Sequence, residues 1–147
     1  MIETVSTREA PDVAAFIERV VATSVDATDA EKAAFLENIR ANLAMWQEAP
    51  EAALHLKFTI GGVLAGVVMV KAFWNLCHLF VEPRQQKQGV GRALLEAAIA
   101  GCKDKSSRQY LRLNSSRNAI TFYEHMGFVP VRDAPAPFTG VQYEFKL

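Results

Sequence analysis

The stretch that most limits how this chain can fold is residues 84–103, RQQKQGVGRALLEAAIAGCK, in which a basic, glycine-bearing loop runs directly into an alanine- and leucine-rich helix. The preceding segment, NLCHLFV, predicts a strand that ends at Glu82 and Pro83, because proline cannot donate a hydrogen bond to a neighbouring strand. A helix entered in this way has unpaired backbone N–H groups in its first turn. Together with the helix dipole these groups bind phosphate oxygens, so the loop predicts an anion site.

The composition of the loop is suited to a diphosphate. Gly89 and Gly91 would allow the main chain to approach a pyrophosphate with no side chain in the way. Three residues supply positive charge: Arg84, Lys87 and Arg92. The dinucleotide pattern G-x-G-x-x-G fails, because Leu94 stands where the third glycine would be, and the pattern G-x-x-x-x-G-K-[ST] is absent from the sequence. The plain alternative is that the two glycines only form a tight turn.

Hydrophobic periodicity along the rest of the chain predicts an α/β fold, in which a mixed sheet carries helices on both faces. Gly61 and Gly62 separate two strand patterns and fit the turn of an antiparallel hairpin. The predicted helices cover 11–22, 29–47, the second half of 84–103, and 115–126. The predicted strands cover 54–60, 63–73, 75–81, 110–114, 128–132 and 141–147.

Composition and charge narrow the classes of function. With 147 residues and apolar residues spread throughout, the chain is expected to form a single domain, 1–147. Sixteen basic residues balance sixteen acidic ones, so no nucleic-acid partner is expected. Cys77 and Cys102 lie in no paired spacing and predict reduced thiols, no metal and a cytoplasmic location. No secretory signal or membrane-spanning stretch is recognised, so no membrane partner is expected, while a homodimer is compatible with the sequence.

Two blocks of the sequence resemble the GNAT N-acetyltransferases. Gln86–Gly91 has the family's form Q/R-x-x-G-x-G/A, and the segment HLFVEPRQQKQGVGRALL is similar to its fourth strand, pyrophosphate loop and following helix. The segment NSSRNAITFYEHMGFVPV is similar to a later block of the family, with Ala119, Phe122–Tyr123 and Gly127–Phe128 at the expected intervals. The resemblance implies a mostly antiparallel mixed sheet whose two central parallel strands splay apart, and an N-acetyltransferase domain over the whole chain.

The same resemblance implies that acetyl-CoA binds between the splayed strands, here 75–81 and 110–114. The backbone of the first strand would pair with the pantetheine arm, and the amides that follow would receive the pyrophosphate. The residues implied as cofactor contacts are Leu79, Phe80, Val81, Gln86, Lys87, Gln88, Gly89, Val90, Gly91 and Arg92. Many members carry asparagine three residues before the matched alanine, where this chain has Ser116, so Asn114 and Asn118 are added as candidate contacts.

Acetyl transfer requires a neutral amine, a donor for the developing oxyanion, and an acid for the departing thiolate. Tyr123 matches the family's tyrosine and is the expected acid. The alternative is that Tyr123 belongs to an ordinary apolar helix stripe with Ala119, Phe122 and Met126. The oxyanion donor is expected to be a backbone N–H group near 79–81.

The sequence does not single out one residue as the general base. The strand positions that match the family's base are Asn75 and Cys77, neither of which is a good base. His78 and Glu82 are the side-chain candidates, against the alternatives of a packed histidine and a solvated carboxylate. His55 and His125 are expected at the surface. A water chain, or an amine that arrives neutral, would need no side-chain base.

The function expected from these residues is direct acetyl transfer from acetyl-CoA to a primary amine of a small molecule or peptide. No covalent enzyme intermediate is expected, because neither cysteine lies in a pattern that would activate it. The alternative from another class is an acyl-CoA-binding sensor or partner domain with the same fold and no turnover.

Overall fold

A seven-stranded sheet with helices on both faces makes up the computed structural model, which describes residues 1–131 and 141–147. The strands are β1 (Ile2–Thr4), β2 (Ala53–Ile60), β3 (Val63–Lys71), β4 (Asn75–Val81), β5 (Tyr110–Ser115), β6 (Val129–Pro130) and β7 (Val141–Lys146). The helices are α1 (Ala10–Ser24), α2 (Asp29–Glu48), α3 (Val90–Cys102) and α4 (Ile120–His125).

The sheet order is β1-β2-β3-β4-β5-β7-β6, and every neighbouring pair is antiparallel except β4 with β5. This confirms the predicted mixed, mostly antiparallel sheet with one central parallel pair. Across residues 1–131 and 141–147, no helix is both long enough and apolar enough to cross a membrane.

Local sequence explains how the first elements form. The β2–β3 turn has φ of 57° at Gly61 and 79° at Gly62, which glycine adopts without strain, so the predicted hairpin is confirmed. Helix α2 begins with a reciprocal capping box. The backbone N–H of Glu31 donates to Thr28 Oγ1 at 3.1 Å, and the backbone N–H of Thr28 donates to Glu31 Oε1 at 2.9 Å.

Both faces of the sheet are covered, which gives two apolar cores. One core joins α1 and α2 to one face of β2–β4, through residues such as Ile17, Trp46 and Met69. The other joins α3 and α4 to the opposite face, through residues such as Leu94 and Leu111. Strand β4 therefore lies between two helical layers.

A bulge in β4 determines which of its side chains point to each core. Met69 pairs with His78 but Val70 pairs with Leu76, so Cys77 is an extra residue in the strand. Simple alternation would place Leu76 on the same face as His78. The bulge instead places Leu79 and Val81 with Leu76 in the core beneath α3.

The structure differs from the predicted elements at four short segments. The strand predicted over 63–73 ends at Lys71, because Ala72 and Phe73 have positive φ values of 54° and 61° that do not continue a strand. Strand β1 was not predicted, since only one of its three residues is apolar; it is held by antiparallel pairing to β2. The helix predicted over 115–126 is shorter, because β5 extends to Ser115 and a 3₁₀ turn covers Arg117–Ala119 before α4 begins. The strand predicted over 128–132 is β6 alone, and Arg132 lies outside the described residues.

The prediction that His55 lies at the surface is wrong. His55 is 2% exposed and His78 is 3% exposed, with ring centroids 5.3 Å apart, and Trp46 packs edge-on against His55 at 4.4 Å. Polar residues alternate along β2, but α1 and α2 cover the face on which His55 lies. None of the four ring nitrogens has a hydrogen-bond partner among the described residues. Burial lowers the pKa of His55 to about 4 and the pKa of His78 well below its ordinary value.

Stability should therefore fall in mild acid. The ordinary pKa of histidine, 6.5, lies above the folded-state pKa of His55, about 4, so as pH falls the unfolded chain binds the proton first. Between about pH 7.5 and about pH 5, protonation of His55 in the unfolded chain should lower the free energy of unfolding by roughly 2 kcal/mol. Urea denaturation of wild type and His55→Phe at both pH values measures this difference.

The matched control is His125→Phe, which makes the same change of side chain at an exposed position. If His55→Phe loses as much stability as wild type over the same interval, protonation of His55 does not govern acid sensitivity.

Candidate active site

The central feature of the site is the separation of β4 from β5. The two parallel strands share one bridge, between Asn75 and Arg112, and the Arg112 backbone N–H donates to Trp74 O at 2.8 Å. Strand β5 pairs with β7 along its length from Tyr110 to Ser115, whereas beyond the bridge β4 pairs only with β3 among the described residues. Within residues 1–131 and 141–147, one backbone edge of β4 is consequently left without a strand partner, as expected for splayed strands.

A cleft of about 710 Å³ occupies this opening. Its volume lies within the range of small-molecule sites in proteins. It is lined by residues of β4, the loop before α3, α1, and the segment from the end of β5 through α4: Val20, Ser24, Val25, Leu79, Phe80, Val81, Gln86, Lys87, Gly89, Gly91, Arg92, Ser116, Asn118, Ala119, Phe122, Tyr123, His125 and Met126. Eight of the residues implied as cofactor contacts on β4 and the loop are thus brought to one cleft.

Backbone conformation in the loop exposes the start of α3. Gly89 precedes the helix with φ 85°, in the left-handed region, and a Cβ built on it would meet no atom within 4 Å. Lys87 also has a positive φ, 66°, which is strained for a residue with a side chain and is found at ligand-binding turns. The first turn of the 13-residue helix α3, whose N–H groups have no partner within the helix, starts beside the cleft that Gly89, Gly91 and Arg92 line, so these groups are candidates for binding an anion there.

The side chains of the loop have different roles. Gln86 Nε2 donates to Val81 O at 3.1 Å and so fixes the loop to the end of β4. Gln88 Nε2 donates to Arg84 O at 3.3 Å, and Gln88 does not line the cleft. Val90 is buried in the core beneath the loop, so only its backbone could contact a ligand. Positive charge in the cleft comes from Lys87 and from Arg92, whose Nε also donates to Glu96 at 2.9 Å.

Tyr123 lies on the opposite wall of the cleft. It is 7% exposed, and the rings of Phe122 and Phe128 pack against it at centroid distances of 5.2 and 5.5 Å. Burial raises the pKa of the Tyr123 phenol well above its ordinary value. The side chain therefore stays protonated and can donate a hydrogen bond into the cleft.

Neither candidate base lies on the cleft lining. His78 is packed against His55 on the face of β4 that α1 and α2 cover, and its lowered pKa makes it a weak proton acceptor. Glu82 accepts a hydrogen bond from Arg19 Nη1 at 2.6 Å, which joins the end of β4 to α1. His125 is exposed, as predicted, and it also lines the cleft.

The two asparagines considered as cofactor contacts are placed differently. Asn114 is exposed on β5 and is absent from the cleft lining. Asn118 lines the cleft, but its side chain is already hydrogen-bonded at both ends, to Ser24 O and to Ser116 Oγ. Sequence reasoning did not place the end of α1 at the site, although Val20 and Val25 line it. The apolar stripe of α1 continues to that point, but nothing in it distinguishes a cleft from core packing.

A mixed sheet that opens between two parallel strands, with a loop suited to an anion and a protonated phenol on the cleft lining, is the arrangement that the resemblance to the GNAT N-acetyltransferases implies.

The comparisons with known proteins agree. The model of the Acetyltransferase (GNAT) domain matches residues 23–143, and the chain belongs to the GNAT acetyltransferase family. The ribosomal protein bS18-alanine N-acetyltransferase of Escherichia coli K12 is 31% identical over 117 residues, covering 72% of this chain and 78% of that protein.

Two solved structures share the fold. A GCN5-related N-acetyltransferase from Rhodopseudomonas palustris has a TM-score of 0.81 at 18% identity, with 100% of this chain and 95% of that chain covered. The PaiA N-acetyltransferase from Thermoplasma acidophilum, solved in complex with coenzyme A, has a TM-score of 0.76 at 18% identity, with 100% and 98% covered.

Gly91→Glu should abolish acetyl-CoA binding while the protein stays folded. A Cβ at position 91 would lie 3.4 Å from Val81 Cγ2 and 3.5 Å from Phe122 Cζ, so a longer side chain must enter the cleft between the two walls. A carboxylate there would repel a diphosphate, whereas at the start of a helix it does not oppose folding. Calorimetry should show an affinity at least about a hundredfold weaker, equivalent to roughly 2.7 kcal/mol.

Gly91→Ala is the matched control, since its contacts of 3.4–3.7 Å are ordinary and it should keep most of the affinity. Near-normal binding by the Gly91→Glu protein would mean that the loop is only a turn.

Proposed function

We propose that this protein transfers the acetyl group of acetyl-CoA directly to a primary amine. The observation that carries the proposal is the cleft between β4 and β5, with the anion-binding loop at one part of its wall and Tyr123 at another. The backbone edge of β4 would pair with the pantetheine arm, and the N–H groups from Gln88 to Arg92 would bind the diphosphate. When bound, acetyl-CoA supplies a thioester, whose carbonyl carbon accepts the amine and whose sulfur leaves.

Groups of the protein itself would stabilise the developing negative charge and supply the proton in this reaction. A backbone N–H group of Leu79, Phe80 or Val81 would donate to the carbonyl oxygen as negative charge develops there. Tyr123 would hold its proton at Oη and donate it to the departing sulfur. As the C–N bond forms and the C–S bond breaks, the proton released by the amine nitrogen would pass through water to Tyr123 Oη and restore the phenol, so the reaction needs no net proton from solvent.

The two cysteines support transfer without a covalent enzyme intermediate. Burial raises the pKa of Cys77, and it raises the pKa of Cys102 to about 11, so both thiols stay protonated near neutral pH. A protonated, buried thiol is a poor nucleophile. Within residues 1–131 and 141–147, no group of three or more His, Cys, Asp or Glu could hold a metal ion.

A peptide or protein amine is the acceptor class that we place first. Its support is the Escherichia coli relative, which is named for an alanine of ribosomal protein bS18. Small primary amines are the second acceptor class, and both classes can be tested in one assay of thiol release. We further propose that residues 1–147 act as one domain in the cytoplasm, in keeping with free Cys77 and Cys102.

The cofactor class can be tested without knowing the acceptor. Acetyl-CoA at about 100 times its dissociation constant should raise the unfolding free energy by about 2.7 kcal/mol, because it binds only the folded state. NADH and ATP lack the pantetheine arm and should stabilise the protein much less. An equal shift in Tm with NADH would contradict the assignment of the cleft to coenzyme A.

Tyr123→Phe tests the proposed acid. The change removes one oxygen and keeps the ring packed between Phe122 and Phe128, so the fold should survive. If Tyr123 protonates the leaving sulfur, kcat should fall by roughly a hundredfold or more, with acetyl-CoA affinity nearly unchanged. The measurement is thiol release on a panel of peptide and small amines, under conditions in which chemistry limits the rate.

Tyr143→Phe is the matched control. Tyr143 is also buried, and its hydroxyl donates to Glu124 Oε2 at 3.1 Å, but it does not line the cleft, so kcat should stay within a few-fold of wild type. Turnover by Tyr123→Phe at a similar rate would place Tyr123 in the core and leave the proton to water. Coenzyme A binding with no thiol release on any amine would favour the acyl-CoA-binding sensor domain instead.

A further inference from the structure

The opening of the cleft separates two halves of the molecule that must keep a fixed spacing. One half carries β4 and α1, which are joined by the ion pair of Arg19 with Glu82. The other half carries β5 and α4 with Tyr123. At the closed end of the opening the halves are joined by the hydrogen bond from the Arg112 backbone N–H to Trp74 O, 2.8 Å long.

At the open end, two adjacent side chains cross from one half to the other. Asn118 Nδ2 donates to Ser24 O at 3.0 Å, at the end of α1. Arg117 Nη2 donates to Asp26 O at 3.2 Å, and the Arg117 guanidinium lies 3.6 Å from the carboxylates of Asp26 and Glu31. We call Arg117 and Asn118 the clamp.

The clamp residue Asn118 is hydrogen-bonded within the protein at both ends of its amide. Its Nδ2 is engaged by Ser24 O, and its Oδ1 accepts a hydrogen bond from Ser116 Oγ at 3.0 Å. Ser24, Ser116 and Asn118 all line the cleft, so these bonds form part of its wall. An amide bonded at both ends is held in one orientation, and it holds the segments on either side of it at a fixed distance.

We propose that Arg117 and Asn118 are positioning residues, which set the width of the cleft and hence the place of the Tyr123 hydroxyl relative to β4. The proposal rests on the proposed function, in which the thioester carbonyl is held by β4 and the sulfur is protonated from α4. The backbone N–H group that stabilises the carbonyl oxygen and the phenol that protonates the sulfur then belong to different halves. The clamp joins these halves beside the site.

The effect should appear in the rate rather than in folding. The clamp residues are exposed, and exposed hydrogen bonds and ion pairs contribute little to stability. Reacting groups, by contrast, must be held within about 0.5 Å, and a displacement of about 1 Å can cost about a hundredfold in rate. The diphosphate loop lies on the β4 side of the opening and has no contact with the clamp through these bonds, so cofactor affinity should change little.

Asn118→Asp is the sharpest variant, because it keeps the shape and the acceptor for Ser116 Oγ but cannot donate to Ser24 O. We expect kcat to fall by about tenfold to a hundredfold, with the acetyl-CoA dissociation constant within about threefold of wild type. The double variant with Tyr123→Phe should lose little more than Tyr123→Phe alone, because the clamp acts by placing that hydroxyl. Arg40→Ala is the control; it removes an ion pair with Glu18, 2.8 Å long, away from the cleft, and should leave kcat unchanged.

Hydrogen exchange gives a readout that does not depend on turnover. In the ligand-free protein, Asn118→Asp should speed exchange in residues 20–28 and 115–123, and Arg40→Ala should leave residues 115–123 unchanged. Unchanged exchange in these segments would overturn the clamp even if no acceptor amine is found and the proposed function fails. Faster exchange with an unchanged kcat, in a protein that does turn over, would overturn the positioning role. A tenfold weaker acetyl-CoA affinity at unchanged kcat would overturn it in favour of a direct cofactor contact.

Discussion

The interaction on which the site depends is the pairing of β5, which follows β7 along its whole length but meets β4 at a single bridge. Strand β5 is antiparallel to β7 over its whole extent, from Tyr110↔Lys146 to Ser115↔Val141, while β4 meets it only at Asn75↔Arg112. The bulge at Cys77 begins just after that bridge, and bulges bend a strand and increase its twist. The strands therefore diverge, and one backbone edge of β4 has no strand partner in the part of the chain that the structure describes. The loop that follows β4 reaches α3 at the mouth of the opening. Without the divergence the sheet would be continuous, and the anion loop would face no cleft.

Desolvation explains most of the protonation states around the site. Burial raises the pKa of Tyr123, Cys77 and Cys102 and lowers the pKa of His55 and His78, because each group is held more easily in its neutral form inside the protein. These buried side chains are thus neutral. Among the described residues, the lysine and arginine side chains on the cleft lining are Lys87 and Arg92. This division suits a ligand with an anionic diphosphate at one end and a neutral thioester at the other, and it fits a balanced overall charge.

The sequence predicts the fold well where a pattern has one physical meaning. The two-glycine turn, the apolar strands and the loop into α3 are of this kind, and the order of elements follows from them. The sequence of strand β1 shows no alternation of apolar and polar residues that would predict a strand, because its backbone pairing with β2 does not depend on side-chain type. His55 was misplaced because alternating polarity predicts a solvent face only when no helix covers that face. At the site, sequence motifs predict the loop and Tyr123. The approach of α1 to the cleft and the hydrogen bonds of Asn118 depend on contacts between residues far apart in sequence, which no local pattern predicts.

Glu82 and Asn118 show how polar residues near a cleft can contribute to its geometry. Glu82 accepts a hydrogen bond from Arg19, which joins the end of β4 to α1. Asn118 donates to Ser24 O, which joins the segment before α4 to the end of α1. Helix α1 is thereby attached to both halves of the opening. Among the described residues, the ionisable groups left on the cleft lining are Lys87, Arg92, Tyr123 and His125. Within this described set there is no carboxylate, so positive charge on an incoming ammonium ion would have no opposite charge beside it there, which favours binding of the amine in its neutral form.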